Sequence, residues 1–353
     1  MTTTAFPPIF DGHNDTLLRM HMAKPSQHRD FFIDTADLHI DLPKAKAGGL
    51  GGGFFATWVP NRKKETDLPK DKESYAVPLP PALHRTYATN FAMGMVARLL
   101  RLESESQGQV KIVRTADELA TALETGVLAA IMHFEGAEAI DKKLDALHVF
   151  HAAGLRSLGP VWSRPTIFAQ GVPFQFPGSP DMGPGLTDAG KALVKECNQL
   201  GIMVDLSHMN EQGFWDVAAL TDVPLVATHS NAHALCTTPR NLTDKQLDAV
   251  AESGGVVGIN YHTGFLRADG QGKEVTPLTE IVRHATYMVE RMGIDHVALG
   301  SDFDGAAMPT DLVNAAGLPK LMAAFVEAGF DGADLAKIAN GNWQRVLRAT
   351  WKG

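Results

Sequence analysis

Cysteine is nearly missing from this chain, with two in 353 residues: Cys197 in a helical pattern and Cys236 in a loop. That excludes a disulfide framework and a thiolate metal cluster, and both are expected as unpaired thiols. Long runs of Lys or Arg are missing too, and the formal charge is −8 with a pI near 5.9. Such a chain has no basic footprint for nucleic acid or an anionic membrane surface. No uninterrupted apolar run is long enough to span a bilayer, and residues 1–8 show no basic start followed by an apolar core. A cytoplasmic location is expected. Internal repeats and low-complexity tracts are also lacking, which excludes solenoids and disordered linkers.

What is present is alternation. Short β-rich runs, at 6–10, 53–59, 127–133, 155–159, 202–206, 225–229, 256–260 and 296–300, are separated by amphipathic helical patterns. Eight such alternations without a break predict the α/β class: a single (β/α)8 TIM barrel of the metal-dependent hydrolase type, one domain over residues 1–353 with loop insertions. Helix starts are readable. Thr115 with Glu118 and Thr243 with Gln246 form capping boxes, and Thr187 opens a helix that Gly201 closes. Residues 81–104 carry a long helical pattern, and 110–113 form either an extra strand or a buried connection. Residues 60–80, charged and proline-rich, are expected as a surface loop, and 160–186, rich in Pro, Gly and Phe, as a longer loop on the catalytic side.

Barrel enzymes carry their chemistry at the C-terminal ends of the strands. Here His13 and Asp15 follow the first strand, Glu135 the third, His208 the fifth, His229 the sixth and Asp302 the eighth. A lone His-x-Asp usually marks a strand-end turn. Six acids and imidazoles on five strand ends point instead at one small volume. In extended backbone alternate side chains share a face, so His13 and Asp15 would project together. Mixed imidazole and carboxylate groups suit divalent ions with hydrolytic work, and two ions fit the count. One would take His13 and Asp15, the other His208 and His229, with Glu135 bridging. Ions roughly 3.5 Å apart can hold a hydroxide between them with a pKa lowered toward neutrality. Asp302 is then left to accept a proton and pass it to a leaving amine.

Seven stretches, in order along nearly the whole chain, carry a resemblance. They are Phe10-Asp11-Gly12-His13-Asn14-Asp15, Phe134-Glu135-Gly136, Asp205-Leu206-Ser207-His208, Thr228-His229-Ser230-Asn231-Ala232, Pro239-Arg240-Asn241, Gly300-Ser301-Asp302-Phe303-Asp304-Gly305 and Gly341-Asn342-Trp343-Gln344-Arg345-Val346. The chain resembles the membrane dipeptidase (renal dipeptidase) family of binuclear zinc metallopeptidases, peptidase family M19, in its soluble bacterial branch. The resemblance implies two Zn2+ per chain: His13, Asp15 and Glu135 around one, and Glu135, His208 and His229 around the other. It also implies Asp302 as the proton-transfer residue and Arg240 on the substrate carboxylate, a role that the planar fork of arginine suits. The implied activity is zinc-dependent hydrolysis of dipeptides, in which the C-terminal residue can have the D configuration; some members open β-lactam rings. Two positions depart from the pattern. Ala137-Glu138 follow Gly136 where many relatives have Gly-His, and Trp162 stands where relatives commonly place a histidine thought to steady the tetrahedral intermediate. An indole donates one N–H but carries neither a proton nor a charge, so substrate range and part of the oxyanion stabilisation are expected to differ.

Other residues have blander readings. His133 shares strand parity with Glu135 and is expected as a packed histidine of the barrel interior. His233, Tyr261 and His262 lie just beyond strand ends and are candidates to line the pocket; Tyr261 and Trp162 join Arg240 as the expected substrate-binding residues. His148 and His151 sit in a helical pattern and read as surface, and Asp304 reads as part of a turn. The expected partner is a small dipeptide, with no nucleic acid and no membrane, and a homodimer is left open. Two rivals stand beside this reading. Another binuclear metal-dependent amide or lactone hydrolase would keep every ligand and change only the loops, whereas a non-catalytic metal scaffold would need a lost ligand or a lost Asp302.

Overall fold

A computed structural model describes residues 6–24, 30–61, 73–272 and 275–352. Eight parallel strands follow one another: β1 (Ile9–Asn14), β2 (Leu50–Trp58), β3 (Leu128–Glu135), β4 (Leu155–Gly159), β5 (Met203–Val204), β6 (Val226–Ala227), β7 (Val256–Ile259) and β8 (Val297–Leu299). Ladders join β1 through β5 in chain order, and β6 through β8 likewise. Two single parallel bridges, Asp205–Val226 and Asn14–Phe303, connect these arcs into a closed ring. The (β/α)8 barrel read from the alternation is the observed fold, and closure removes the free sheet edges.

The interior explains the sequence of the strands. Both faces of a barrel strand are covered, so β1 and β3 are buried at every residue. Inside lie Phe10, Phe54, Ile131, Met203, Val226, Val256 and Ala298. The final helix, Asn342–Thr350, inserts Trp343 among them, with its ring centroid 5.3 Å from Phe54 and 6.1 Å from Phe10 and its indole N–H donated to the Leu299 carbonyl at 3.1 Å. The Thr228 carbonyl oxygen also turns inward, and a Cβ at Gly12, Gly258 or Gly300 would overlap it. Close approach, rather than backbone freedom, requires glycine at these three positions. Outside, helices bury one stripe each. In Asp188–Leu200 the stripe is Leu193, Val194 and Cys197; the Thr187 hydroxyl accepts from Gly190 N at 3.1 Å, and Gly201 ends the helix at φ 69°.

Several boundaries differ from expectation. β1 begins at Ile9 and runs through His13, and β3 continues to Glu135, because paired backbone extends past the apolar run into the polar residues of the mouth. β5 and β6 shrink to two residues each. The reason is Asp205, whose Oδ1 accepts the N–H of Ser207 at 3.0 Å and of Thr228 at 2.8 Å and so withdraws both from the ladder. The 110–113 run does form a strand, Val110–Ile112, beside the first half of β3. The 81–104 pattern is the helix Arg85–Glu105. Of the box at Thr115, the hydroxyl accepts from Glu118 N at 3.1 Å, while Glu118 reaches back to Arg114 N at 2.6 Å, one residue beyond the cap.

The expected surface loop at 60–80 needs correction. Residues 62–72 lie outside the described residues, but Tyr75–Ala76 pairs antiparallel with Gln175–Phe176 from the second insertion. Tyr75 is buried, and its hydroxyl donates to the Gly270 carbonyl at 3.1 Å. The two insertions are therefore one joined structure. Cys197 and Cys236 are free and buried, and among the described residues no helix is long and apolar enough to cross a membrane.

Candidate active site

Five side chains from four strand ends meet in one buried cluster. His13 Nε2 lies 3.5 Å from Asp15 Oδ2 and 3.6 Å from Glu135 Oε2. The other oxygen of the same carboxylate, Oε1, lies 2.9 Å from His208 Nε2 and 3.5 Å from His229 Nε2, and those two nitrogens are 3.2 Å apart. Glu135 thus presents one oxygen to each half of the cluster. Asp302 joins from the mouth: its ligand atom, with those of His13 and Asp15, falls in a set within 4.8 Å of one another, as do those of His13, Glu135 and His229.

Neighbouring groups orient these side chains. Thr228 Oγ1 donates to Asp205 Oδ2 at 2.6 Å, so it is left to accept from His229 Nδ1 at 2.8 Å. That puts the proton of His229 on Nδ1 and the lone pair of Nε2 toward Glu135. Ser163 Oγ lies 2.8 Å from His208 Nδ1 and holds the second imidazole by that nitrogen. Asn260 Nδ2 donates to Asp302 Oδ2 at 3.0 Å. Asp11 takes both the N–H of Ser301 (2.6 Å) and its hydroxyl (2.8 Å), tying β1 to the end of β8. His208 and Asp302 adopt φ of 66° and 61°. For residues with a Cβ this left-handed backbone costs about 1–2 kcal/mol each, and such strain concentrates at working sites.

The electrostatics of the cluster are set by burial and by the opposed charges of its members. Burial alone would lower the His13 pKa, but Glu135, with Asp15 and Asp302, overrides it and lifts the imidazole to about 10. Burial pushes the Glu135 carboxyl well above its ordinary range despite His13, and burial also raises Asp302. His208 and His229 go the other way, held neutral by burial and by the charge of Arg240 and His13. His13 Nδ1 and Nε2 and Asp15 Oδ1 are buried with no hydrogen-bond partner. Each such group costs about 1–3 kcal/mol if left unmet. Three imidazoles and three carboxylates, with lone pairs turned inward, fit divalent metal.

The remaining expected residues fall as follows. Arg240 is buried, with Nη2 on the His229 carbonyl at 3.1 Å, its guanidinium carbon 5.3 Å from the Phe265 ring centroid and its Nε without a partner. The Trp162 ring is 5.9 Å from the His208 ring. Tyr261 packs into the core, 5.9 Å from Phe303. His133 is an interior residue, with Nδ1 2.8 Å from Ser157 Oγ and Nε2 3.6 Å from Asp205 Oδ2. His262 caps a short helix by accepting from Gly264 N at 2.9 Å, and His233 Nε2 donates to the Gly178 carbonyl at 2.7 Å. His148 is exposed and pairs with Glu196 at 3.2 Å; His151 is half-buried. The Asp304 carboxylate does more than a turn requires, accepting from Thr16 Oγ1 (2.8 Å) and His39 N (2.7 Å). Residue-by-residue reading missed Asp205, Thr228, Ser163 and Asn260 as orienting groups, and Trp58. The register Trp58↔Glu135 places that indole beside the central carboxylate.

A closed α/β barrel with a mixed imidazole and carboxylate cluster at its mouth defines the class of metal-dependent hydrolases. Comparison with known proteins narrows it. The profile of the membrane dipeptidase family, peptidase family M19, matches residues 3–352, and the chain belongs to that family. It is an enzyme of the metallo-dipeptidase type. A crystal structure of a metallopeptidase from Rhodobacter sphaeroides, liganded with a phosphinate mimic of the dipeptide L-Ala-D-Ala, is 48% identical with a TM-score of 0.94, covering 98% of this chain and 100% of that one. The structure of an M19 metallopeptidase called dipeptidase AC is also 48% identical, with a TM-score of 0.95 and coverage of 99% and 100%. An uncharacterized protein in the pqqA 5′ region of Klebsiella pneumoniae is 50% identical over 257 residues, 73% of this chain and 95% of its own length.

Proposed function

We propose that this protein hydrolyses the peptide bond of free dipeptides with two zinc ions, the first held by His13, Asp15 and Glu135 and the second by Glu135, His208 and His229. The carrying observation is the Glu135 carboxylate, with Oε2 toward His13 and Oε1 toward His208 and His229. When bound, the ions would supply an activated water and Lewis acidity at the scissile carbonyl. The chain does the rest. Asp302, oriented by Asn260 and raised in pKa by burial, takes a proton from the attacking water and returns it to the leaving amine. Arg240 has a buried Nε donor without a partner and binds the free C-terminal carboxylate, which favours dipeptides because a longer chain puts an amide there. The dipeptide mimic in the Rhodobacter sphaeroides relative supports this substrate class, including a D residue at the C-terminal position. Trp162 and Tyr261 complete the substrate side in this reading, which also takes the whole chain as one barrel domain and the enzyme as cytoplasmic.

Metal analysis beside a dipeptide panel tests it. Two zinc ions per chain, with dipeptide hydrolysis lost to a chelator and restored by zinc, is the expected result. A protein that opens a lactone or cyclic amide and cleaves no dipeptide refutes the dipeptidase assignment.

A further inference from the structure

Glu138 and Trp162 meet through a third residue. Arg164 is fully buried and donates Nε to Glu138 Oε1 at 2.5 Å, Nη1 to Asn61 Oδ1 at 3.0 Å and Nη2 to the Val59 carbonyl at 2.5 Å. Its guanidinium carbon lies 5.1 Å from the Trp162 ring centroid and 5.6 Å from that of Trp58. Cation–π contact of this kind fixes both indoles, which meet edge to face at 5.1 Å. Trp162 continues the surface to Phe174 at 5.5 Å, and both rings flank His208, at 5.9 and 6.4 Å. Trp58 and Phe174 are half-buried, and Trp162 is buried between them and Arg164.

Its position relative to Arg240 follows from the barrel. Trp58 ends β2, and Trp162 lies just past β4. Trp58 pairs with Glu135, so its side chain leaves the sheet on the side of that carboxylate. Arg240 follows β6 and rests on Phe265, beyond β7, across the mouth from β3. A dipeptide with its carboxylate on Arg240 and its carbonyl at the Glu135, His208 and His229 cluster therefore carries its amino-terminal residue toward the two indoles. The charge of Arg164 is offset by Glu138, to which its Nε donates, so the pair brings no net positive charge to draw an acidic side chain there.

We infer that Trp58 and Trp162, clamped by the buried Arg164–Glu138 pair, form the wall for the amino-terminal side chain, and that the enzyme prefers dipeptides with a large apolar or aromatic residue at that position. The inference rests on the dipeptidase reading above. The test is kcat/KM for zinc-loaded enzyme on Gly-Ala, Asp-Ala, Leu-Ala and Phe-Ala, with the reversed set Ala-Gly, Ala-Asp, Ala-Leu and Ala-Phe. Leu-Ala and Phe-Ala should exceed Gly-Ala and Asp-Ala by about tenfold or more, the scale of filling an apolar pocket, and the reversed set should show a smaller spread. Trp162→Ala should collapse the Leu-Ala to Gly-Ala ratio while Gly-Ala cleavage falls far less, and Trp162→Phe, which keeps an apolar ring, should retain the order. Equal cleavage of Gly-Ala and Leu-Ala by the native enzyme, a larger spread in the reversed set, or equal loss on all dipeptides in Trp162→Ala overturns the wall while leaving the dipeptidase reading intact. Cleavage of no dipeptide overturns both.

Discussion

Asp302 is the residue whose role the geometry sets most sharply at issue, because two functions compete for one carboxylate. Its oxygen lies within 4.8 Å of ligand atoms on His13 and Asp15, close enough to serve as a third ligand to metal, yet Asn260 Nδ2 already holds Oδ2 at 3.0 Å. Asp302→Asn keeps the shape, and its side-chain oxygen can still accept from Asn260, so the left-handed backbone and the Asp302 N–H bond to the His13 carbonyl at 2.9 Å should survive. What is lost is the proton site. Removing a general acid/base lowers kcat by roughly 10²–10⁴, or about 2.7–5.5 kcal/mol in the barrier. The assay is steady-state hydrolysis of a dipeptide with zinc content measured on the same preparation. Two ions retained and kcat down by that factor is the expected pair of results. Loss of one ion from Asp302→Asn would show that Asp302 is a ligand and refute its assignment as proton carrier.

Other expectations follow from the same contacts. Native enzyme should discriminate against a C-terminally amidated dipeptide by roughly 2–5 kcal/mol, the loss of a charge-assisted contact with a buried donor left unmet, and Arg240→Ala should erase most of that difference; equal cleavage of acid and amide by native enzyme removes Arg240 as the carboxylate anchor. Thr228→Val breaks the relay from Asp205 to His229 and should weaken zinc binding about 10- to 100-fold by competition with a chromophoric chelator, with the fold intact by circular dichroism. In the metal-free protein the carboxylates lift His13 to about 10, so at pH 8 the cluster holds a proton that zinc must expel. Calorimetry in buffers of different ionisation enthalpy should find protons released on zinc binding, and zinc affinity should rise with pH; no release would contradict the charge state of the cluster. Trp343→Ala empties the bottom of the barrel and should lower unfolding free energy by about 3–5 kcal/mol in urea, with the denaturant slope unchanged.

The chemistry of this site was legible in the sequence, and its specificity was not, for a physical reason. A histidine or acid buried at the end of an apolar strand is costly unless a partner meets it, so His13, Glu135, His208 and His229 stand out against their surroundings. Trp58 does not. An indole at the end of β2 satisfies the same requirement as a core residue, and only the register Trp58↔Glu135 turns it toward the mouth. The ribbon of Tyr75–Ala76 with Gln175–Phe176 was hidden for a related reason: it joins loops about a hundred residues apart, and neither half has the length or alternation that marks a strand on its own. Asp205 could be placed in its Asp-x-Ser-His stretch but not understood, because its work is to accept N–H groups from its own loop and from Thr228 on the next strand. Arg164 and Glu138 show the same dependence in its strongest form. Read singly, each is a charge in a loop, and a charge in a loop is normally solvated. Brought together at 2.5 Å in a buried setting, they form an ion pair, and what lies against its guanidinium is the ring of Trp162.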